Sequence, residues 1–224
     1  MSATAGSTGR TPRERYRAQV RDEIKQIALR QLAESGPAGV SVNAIGKELG
    51  GTGPALYRYF ASRDELLTEM VIDAYTDLAT ALKAAISNTS RRAPRRRLEA
   101  AARAYRGWAL AQPHRYRLLF APPLPGYDAH AERLVDAAQA SMNLIIEILP
   151  DDHEAEPPAG ALVSDLSRWA TQRGAPVDAT RAVRAILTWS RLHGFVSLEI
   201  AGNFASMSID SDRLFEIELA ALAR

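Results

Sequence analysis

Along this chain apolar residues recur at the spacing of a helix, and no run of four to eight residues shows the alternation of a strand. Val20, Ile24, Ile27, Ala28 and Leu32 follow one another at steps of four, three, one and four, which forms one stripe on a helix. Thr11-Pro12-Arg13-Glu14 opens that helix: Thr11 caps it, Pro12 fits the first turn and Glu14 reaches back. Gly36-Pro37 ends it. Ser41 caps a second helix whose Val42, Ile45 and Leu49 face inward, and Thr52 caps a short third one. Gly53 and Pro54 fall in the first turn of that third helix, where a missing N–H costs little. Ser62 and Glu65 read as a capping box for a fourth helix ending near Ile86. Beyond the polar, proline-containing break SNTSRRAPRRR, proline and glycine punctuation predicts helices over about 94–111, 113–121, 128–149, 158–173, 178–201 and 210–223. There is no internal repeat and no heptad run long enough for a coiled coil.

The most informative stretch is residues 38–67, AGVSVNAIGKELGGTGPALYRYFASRDELL. Two short helical segments flank Gly50-Gly51, and a longer helix follows. Short helices joined by a glycine turn and clamped by a third form a helix-turn-helix, a unit that fits the DNA major groove. The expected fold is therefore all-α. A disordered lead over 1–12 and a three-helix DNA-binding domain over 13–62 precede a larger helical bundle over 63–224.

Charge sharpens the picture. The net charge is only +2, yet residues 1–63 hold ten Lys/Arg against five Asp/Glu, and the remainder holds 18 against 21. Positive charge travels with the helix-turn-helix, as a polyanion partner requires; an exposed basic helix that binds nothing is the plainer reading. The absence of cysteine excludes disulfides and thiolate metal sites and fits a reducing cytoplasm. No apolar run reaches the roughly 20 residues of a membrane span, and the polar N-terminus does not read as a secretory signal.

On the third helix, Leu56 and Phe60 lie four apart and point to the core, which turns Ala55, Arg58 and Tyr59 outward. Thr52 offers a hydroxyl and free backbone N–H groups to a phosphate, and Tyr57 and Tyr59 carry hydroxyls on rigid arms. Tyr57 reads equally well as a core residue. Gly53, Pro54 and Ala55 are small enough to let the helix end approach the groove. Arg58 is the leading base reader, with guanine its favoured target. Asn43 and Lys47 on the second helix and Arg63 at the start of the fourth complete the candidate DNA-binding set. Arg10, Arg13, Arg15 and Arg17 form either a minor-groove arm or a solvated tail.

These residues resemble a known family. Ile45-Gly46, Gly50-Gly51-Thr52, Leu56-Tyr57-Arg58-Tyr59-Phe60 and Ser62-Arg63-Asp64-Glu65-Leu66 are similar to the DNA-binding region of the TetR (tetracycline-repressor-like) transcriptional regulators. The resemblance implies an all-helical homodimer on a palindromic operator, usually a repressor released by a small molecule. Gly46 replaces the family's usual alanine, Gly51 its apolar turn residue and Tyr59 its common histidine. Each glycine inside a helix costs about 1 kcal/mol, which suggests that the second and third helices are loosely held without DNA.

The second half shows no nucleophile elbow, phosphate loop or paired-histidine motif, so no catalytic residue, metal or cofactor is expected. Its aromatic and soft residues suggest a ligand cavity: Tyr105, Trp108, Tyr116, Phe120, Met142, Trp189 and His193. Filled core packing is the alternative. Trp189-Ser190-Arg191-Leu192-His193-Gly194 and Pro113-x-x-Tyr116-x-x-x-x-Phe120 resemble one TetR C-terminal subclass with a Trp…His-Gly signature. By the same resemblance, Val183, Ile186, Leu187, Ser190, Gly194 and Ser197, with Leu214, Ile217, Leu219 and Leu222, are the dimerisation candidates. The expected function is a ligand-responsive, cytoplasmic DNA-binding repressor with no enzymatic role, released by an apolar or aromatic effector. Two alternatives stand beside it. One is a small-molecule-binding protein or enzyme with a vestigial helix-turn-helix; the other is an architectural DNA-binding protein without an effector.

Overall fold

The computed structural model describes residues 11–90, 93–120, 132–149, 160–172 and 177–222. Among them are eleven α-helices and no strand. The first four are α1 (Pro12–Ser35), α2 (Val42–Glu48), α3 (Gly53–Leu56) and α4 (Arg63–Ser87). Then come α5 (Pro94–Ala111), α6 (Pro113–Phe120), α7 (Glu132–Ile148), α8 (Ala161–Gln172), α9 (Ala179–Ile200), α10 (Asn203–Ser206) and α11 (Ser211–Leu222). Two elements escape the periodicity argument, a 3₁₀ turn at Pro37–Gly39 and the single turn α10. Both are too short to carry an apolar stripe. The lead before Thr11 and the expected start of α7 at 128 lie outside the described residues.

Two compact units divide the chain, with the boundary inside α4 between Met70 and Val71. In the first, the capping box of α1 forms as its sequence suggests, with Thr11 and Glu14 exchanging side-chain and backbone bonds. The box of α4 is shifted by one residue: Ser62 Oγ accepts from Glu65 N at 3.0 Å, whereas the Glu65 carboxylate reaches back to the N–H of Ala61. Thr52 holds the N-cap position of α3 but makes no capping bond with its side chain, contrary to expectation. The core of this unit is Ile24, Ile27, Ala28, Leu32, Val40, Ile45, Leu56, Phe60, Leu66, Leu67 and Met70. Val20, Val42 and Leu49 are half-buried at its margin.

Glycine gives this unit its close approach. Gly50 turns the chain with φ of 70°, a left-handed conformation that favours glycine, and Gly51 N–H closes α2 on the Gly46 carbonyl at 2.9 Å. Gly46 itself is buried against α3. A Cβ there would stand 2.8 Å from Gly53 N and from Thr52 C.

In the second unit α9 is the central strut, packed against α5, α7, α8, α10 and α11. Ala182 and Ala185 keep its inner face small while Leu192 and Val196 fill the core. An ion network fastens the C-terminal helix. Arg106 grips Glu199 with two bonds at 2.8 and 2.5 Å, reaches Asp212 at 2.6 Å and lies over the Phe215 ring at 4.8 Å. Arg103 pairs with Glu216 through both terminal guanidinium nitrogens, Nη1 and Nη2. Such forked contacts suit arginine and not lysine.

Candidate nucleic-acid interface

The third helix is one turn long, so its fold comes from tertiary contacts and not from propensity. Leu56 and Phe60 are sealed in the core. That anchoring leaves Pro54 and Arg58 exposed, Tyr57 53% exposed, and Ala55 and Tyr59 half-buried. Of the two readings of Tyr57, the outward one is what the fold shows. Thr52, Asn43 and Lys47 are exposed as well. Two of the candidate residues are engaged within the unit. Gly53 is buried, and a Cβ on it would stand 2.0 Å from Asn43 Oδ1 and 3.3 Å from Asn43 Cα, so it faces α2 and not solvent. Arg63 is half-buried and donates to the carbonyls of Pro37 at 2.6 Å and Ala38 at 2.8 Å.

Two arginines of α1, Arg17 from the candidate N-terminal arm and Arg21, sit at the other end of α3. Arg17 Nη2 donates to the Arg58 carbonyl at 3.0 Å, and Arg21 Nη1 donates to the Tyr59 carbonyl. Their spacing of four on α1 was visible in the sequence; the carbonyls they meet were not. Tyr16, 65% exposed on the same end of α1, was also passed over.

In the second unit the aromatic candidates divide into two groups. Tyr105 and Tyr116 meet edge to face with centroids 6.1 Å apart. The His193 ring stacks between Tyr116 at 5.8 Å and Trp189 at 5.5 Å. The Tyr116 hydroxyl lies 2.8 Å from His193 Nδ1 and 3.0 Å from Ser197 Oγ, and donates to the His193 carbonyl at 3.2 Å. Trp108 serves elsewhere: its indole N–H donates to Asp77 Oδ2 at 2.9 Å, beside donors from Gln112 at 3.1 Å and Arg115 at 2.9 Å. Met142 is half-buried on α7. Phe120 closes α6 and falls outside the second unit.

Burial sets the ionisation of this cluster. It pushes the Tyr105 and Tyr116 phenols up, so both stay neutral donors, and it pushes His193 down toward the neutral ring. Burial also raises the Asp77 carboxyl, but the hydrogen bonds of Trp108 and Gln112 and the charge of Arg115 outweigh it and hold the group below its ordinary value. Two buried hydroxyls, those of Tyr105 on α5 and Ser141 on α7, have no partner in hydrogen-bond geometry among the described residues. Ser141 gave no signal in the sequence, where a lone serine on a helix is unremarked.

Comparison with known proteins decides the family. Residues 26–70 match the model of bacterial regulatory proteins of the tetR family, and residues 98–222 match the tetracyclin repressor-like C-terminal domain. The chain belongs to the TetR family. It is a DNA-binding transcriptional regulator. The HTH-type transcriptional regulator Rv1816 of Mycobacterium tuberculosis is 34% identical over 218 residues, 92% of each chain. The crystal structure of SCO4313 superposes with a TM-score of 0.77 at 43% identity, over 95% of this chain and 98% of that one. FadR from Bacillus subtilis in complex with stearoyl-CoA shares the fold at a TM-score of 0.62 and 11% identity, over 90% of this TetR chain and 97% of its own.

Proposed function

We propose that the chain is a homodimeric repressor that reads a palindromic operator through α3 and leaves it on binding a small apolar or aromatic molecule. What carries the reading is the outward face of α3: Thr52, Pro54, Tyr57 and Arg58 stand in solvent above a base fixed by Leu56 and Phe60. Asn43 and Lys47 on α2 extend that face. Arg58 supplies bidentate readout of a guanine edge, while Thr52, Tyr57 and Lys47 fix register on phosphates. Residues 13–62 form the DNA-binding domain and 63–224 the effector-binding and dimerisation domain, in the cytoplasm.

Apolar surface left exposed supports the pairing. Leu187 is 57% and Ile217 68% exposed, whereas Leu219 is spent inside the unit. A second copy would cover Leu187, Leu198 and Ile217 in an isologous contact, which sets two α3 helices on half-sites about 34–36 Å apart or somewhat more. The effector would lie among Tyr105, Tyr116, Ser141, Trp189 and His193. There the buried Ser141 hydroxyl asks for a partner, and no fixed charge of the cluster asks for an ion. FadR, which shares the fold and is bound to stearoyl-CoA, supports the capacity of this fold to hold a small molecule with a long acyl chain. Asp77 links the cluster's helices to α4, because it binds Trp108 of α5 and Arg115 of α6 from α4 itself. Only a ligand with unequal affinity for the two states of α4 can release DNA.

Selection of genomic fragments with the purified protein, followed by a mobility shift with wild type and Arg58→Ala, tests the reading. Enrichment of a palindrome and loss of preference at one base pair in each half-site are expected. Failure to enrich any sequence would overturn it.

A further inference from the structure

We propose that Arg21 is the positioning residue of the recognition helix: it ties the carbonyl end of α3 to α4 through Glu69, and so sets operator affinity without touching DNA. This rests on the DNA-reading face proposed above. A one-turn helix leaves its last carbonyls without partners inside the helix. After Leu56 the chain tightens into a turn, with Tyr59 N–H on the Leu56 carbonyl at 2.8 Å and Phe60 N–H on the same oxygen at 3.1 Å. The carbonyls of Arg58 and Tyr59 that follow in this turn belong to the residues that would read the groove. Arg17 and Arg21, one turn apart on α1, supply a guanidinium to each.

Arg21 does more than cap. Its guanidinium lies over the Phe60 ring at 4.1 Å, and Nη2 pairs with Glu69 of α4 at 3.4 Å. Both side chains of that pair are largely sheltered, at 24% and 17% exposure. One planar group therefore holds three things at once: the end of the reading segment, the ring that anchors it and the first turns of α4. Only arginine presents a stacking face and two separately directed N–H groups; lysine supplies a point charge that can serve one partner at a time. A shift of α4 that moves the Glu69 carboxylate would draw the guanidinium from the Tyr59 carbonyl. The tilt of Tyr57 and Arg58 then follows.

The test uses the full-length chain with R21K and E69Q, each compared with wild type on the selected operator by fluorescence anisotropy at several salt concentrations. R21K keeps the charge and the fold, which a melt verifies, and should weaken operator binding about tenfold, the worth of one charge-assisted hydrogen bond. The slope of log K against log salt should stay as in wild type, because no phosphate contact is lost. E69Q should weaken binding too, although removing a negative charge beside a polyanion would by itself strengthen it. The double variant should cost less than the two single effects multiplied. Amides of 56–60 should exchange faster in R21K in the absence of DNA, a readout that stands even if the protein selects no operator. Unchanged affinity with unchanged exchange in R21K, a slope reduced by about one, or tighter binding by E69Q would each overturn the proposal.

Discussion

Gly46→Ala sets two physical effects of opposite sign against each other. Alanine inside a helix is favoured over glycine by about 1 kcal/mol, and the family usually has alanine here. Propensity alone therefore predicts a more stable α2. The neighbourhood predicts the reverse. The added Cβ would come within 2.8 Å of Gly53 N and Thr52 C, both backbone atoms, and 3.0 Å of Gly53 Cα. Ordinary contact begins near 3.4 Å, so α3 must retreat by about 0.6 Å or the turn must deform, at roughly 1–3 kcal/mol for an overpacked site. The balance is a net loss of up to about 2 kcal/mol, which lowers the melting temperature by up to about 4–8 °C for a chain of this size. Gly53→Ala is the control, since its new Cβ meets chiefly Asn43 Oδ1, the far end of a side chain that can rotate away. Differential scanning calorimetry of both variants, with hydrogen exchange over 45–59, separates the effects. A Gly46→Ala protein that melts at or above wild type, with unaltered exchange at Gly53–Leu56, would refute the packing argument and leave propensity in charge.

Other consequences can be checked with single variants. His193 is depressed by burial, so on acidification the unfolded chain takes up its proton first; its contribution to stability is present above the ordinary histidine pKa of about 6.5 and is lost as pH falls below it. Melting curves of wild type and His193→Gln should therefore converge from neutral pH down to pH 5, and a constant gap would argue against that origin. Trp108→Phe removes one of three donors to a partly exposed carboxylate and should cost about 1 kcal/mol, with Asp77→Asn costing less on top of it than it costs alone in thermal melts. Ile217→Asp should turn a dimer into a monomer by sedimentation velocity and abolish operator binding; a variant that still sediments as a dimer would place the interface elsewhere.

The residue-by-residue legibility of this chain follows from how local each signal is. Helix caps such as Thr11 and Ser41 act within one turn, so they are readable from the sequence. The helix-turn-helix was legible because Leu56, Phe60, Gly50 and Ser62 sit at fixed short offsets. What the sequence did not give away depends on residues far apart. Gly46 looked like a weakness in α2 until Thr52 and Gly53 were found against it. Trp108 shares the spacing of the ligand-facing aromatics, yet its indole N–H is bound by a carboxylate 31 residues away. Tyr116 on α6 meets His193 and Ser197 on α9, 77 and 81 residues further along the chain, and no spacing rule reaches that far.

The basic N-terminal segment shows why a charge count overstates a DNA footprint, and it yields a number. Residues 1–63 hold ten Lys/Arg, but many are committed inside the protein. Arg17, Arg21 and Arg63 donate to backbone carbonyls, Arg30 pairs with Glu48, and Lys25 pairs with Asp22. Among the described residues, Arg13, Arg15, Lys47 and Arg58 remain without such an engagement; Arg10 lies outside them. If only uncommitted charges neutralise phosphates, each protomer offers four or five. A dimer should then bind with a slope of log K against log salt no steeper than about −7 to −9, at −0.9 per phosphate. All ten per protomer would give about −18 by the same rule. Anisotropy titrations between 50 and 300 mM salt distinguish the two, since over that sixfold range they part by about seven orders of magnitude in K. A slope well beyond −9 would mean that the carbonyl-capping arginines let go of the fold when DNA arrives, and the rigid α3 end argued for above would have to be given up.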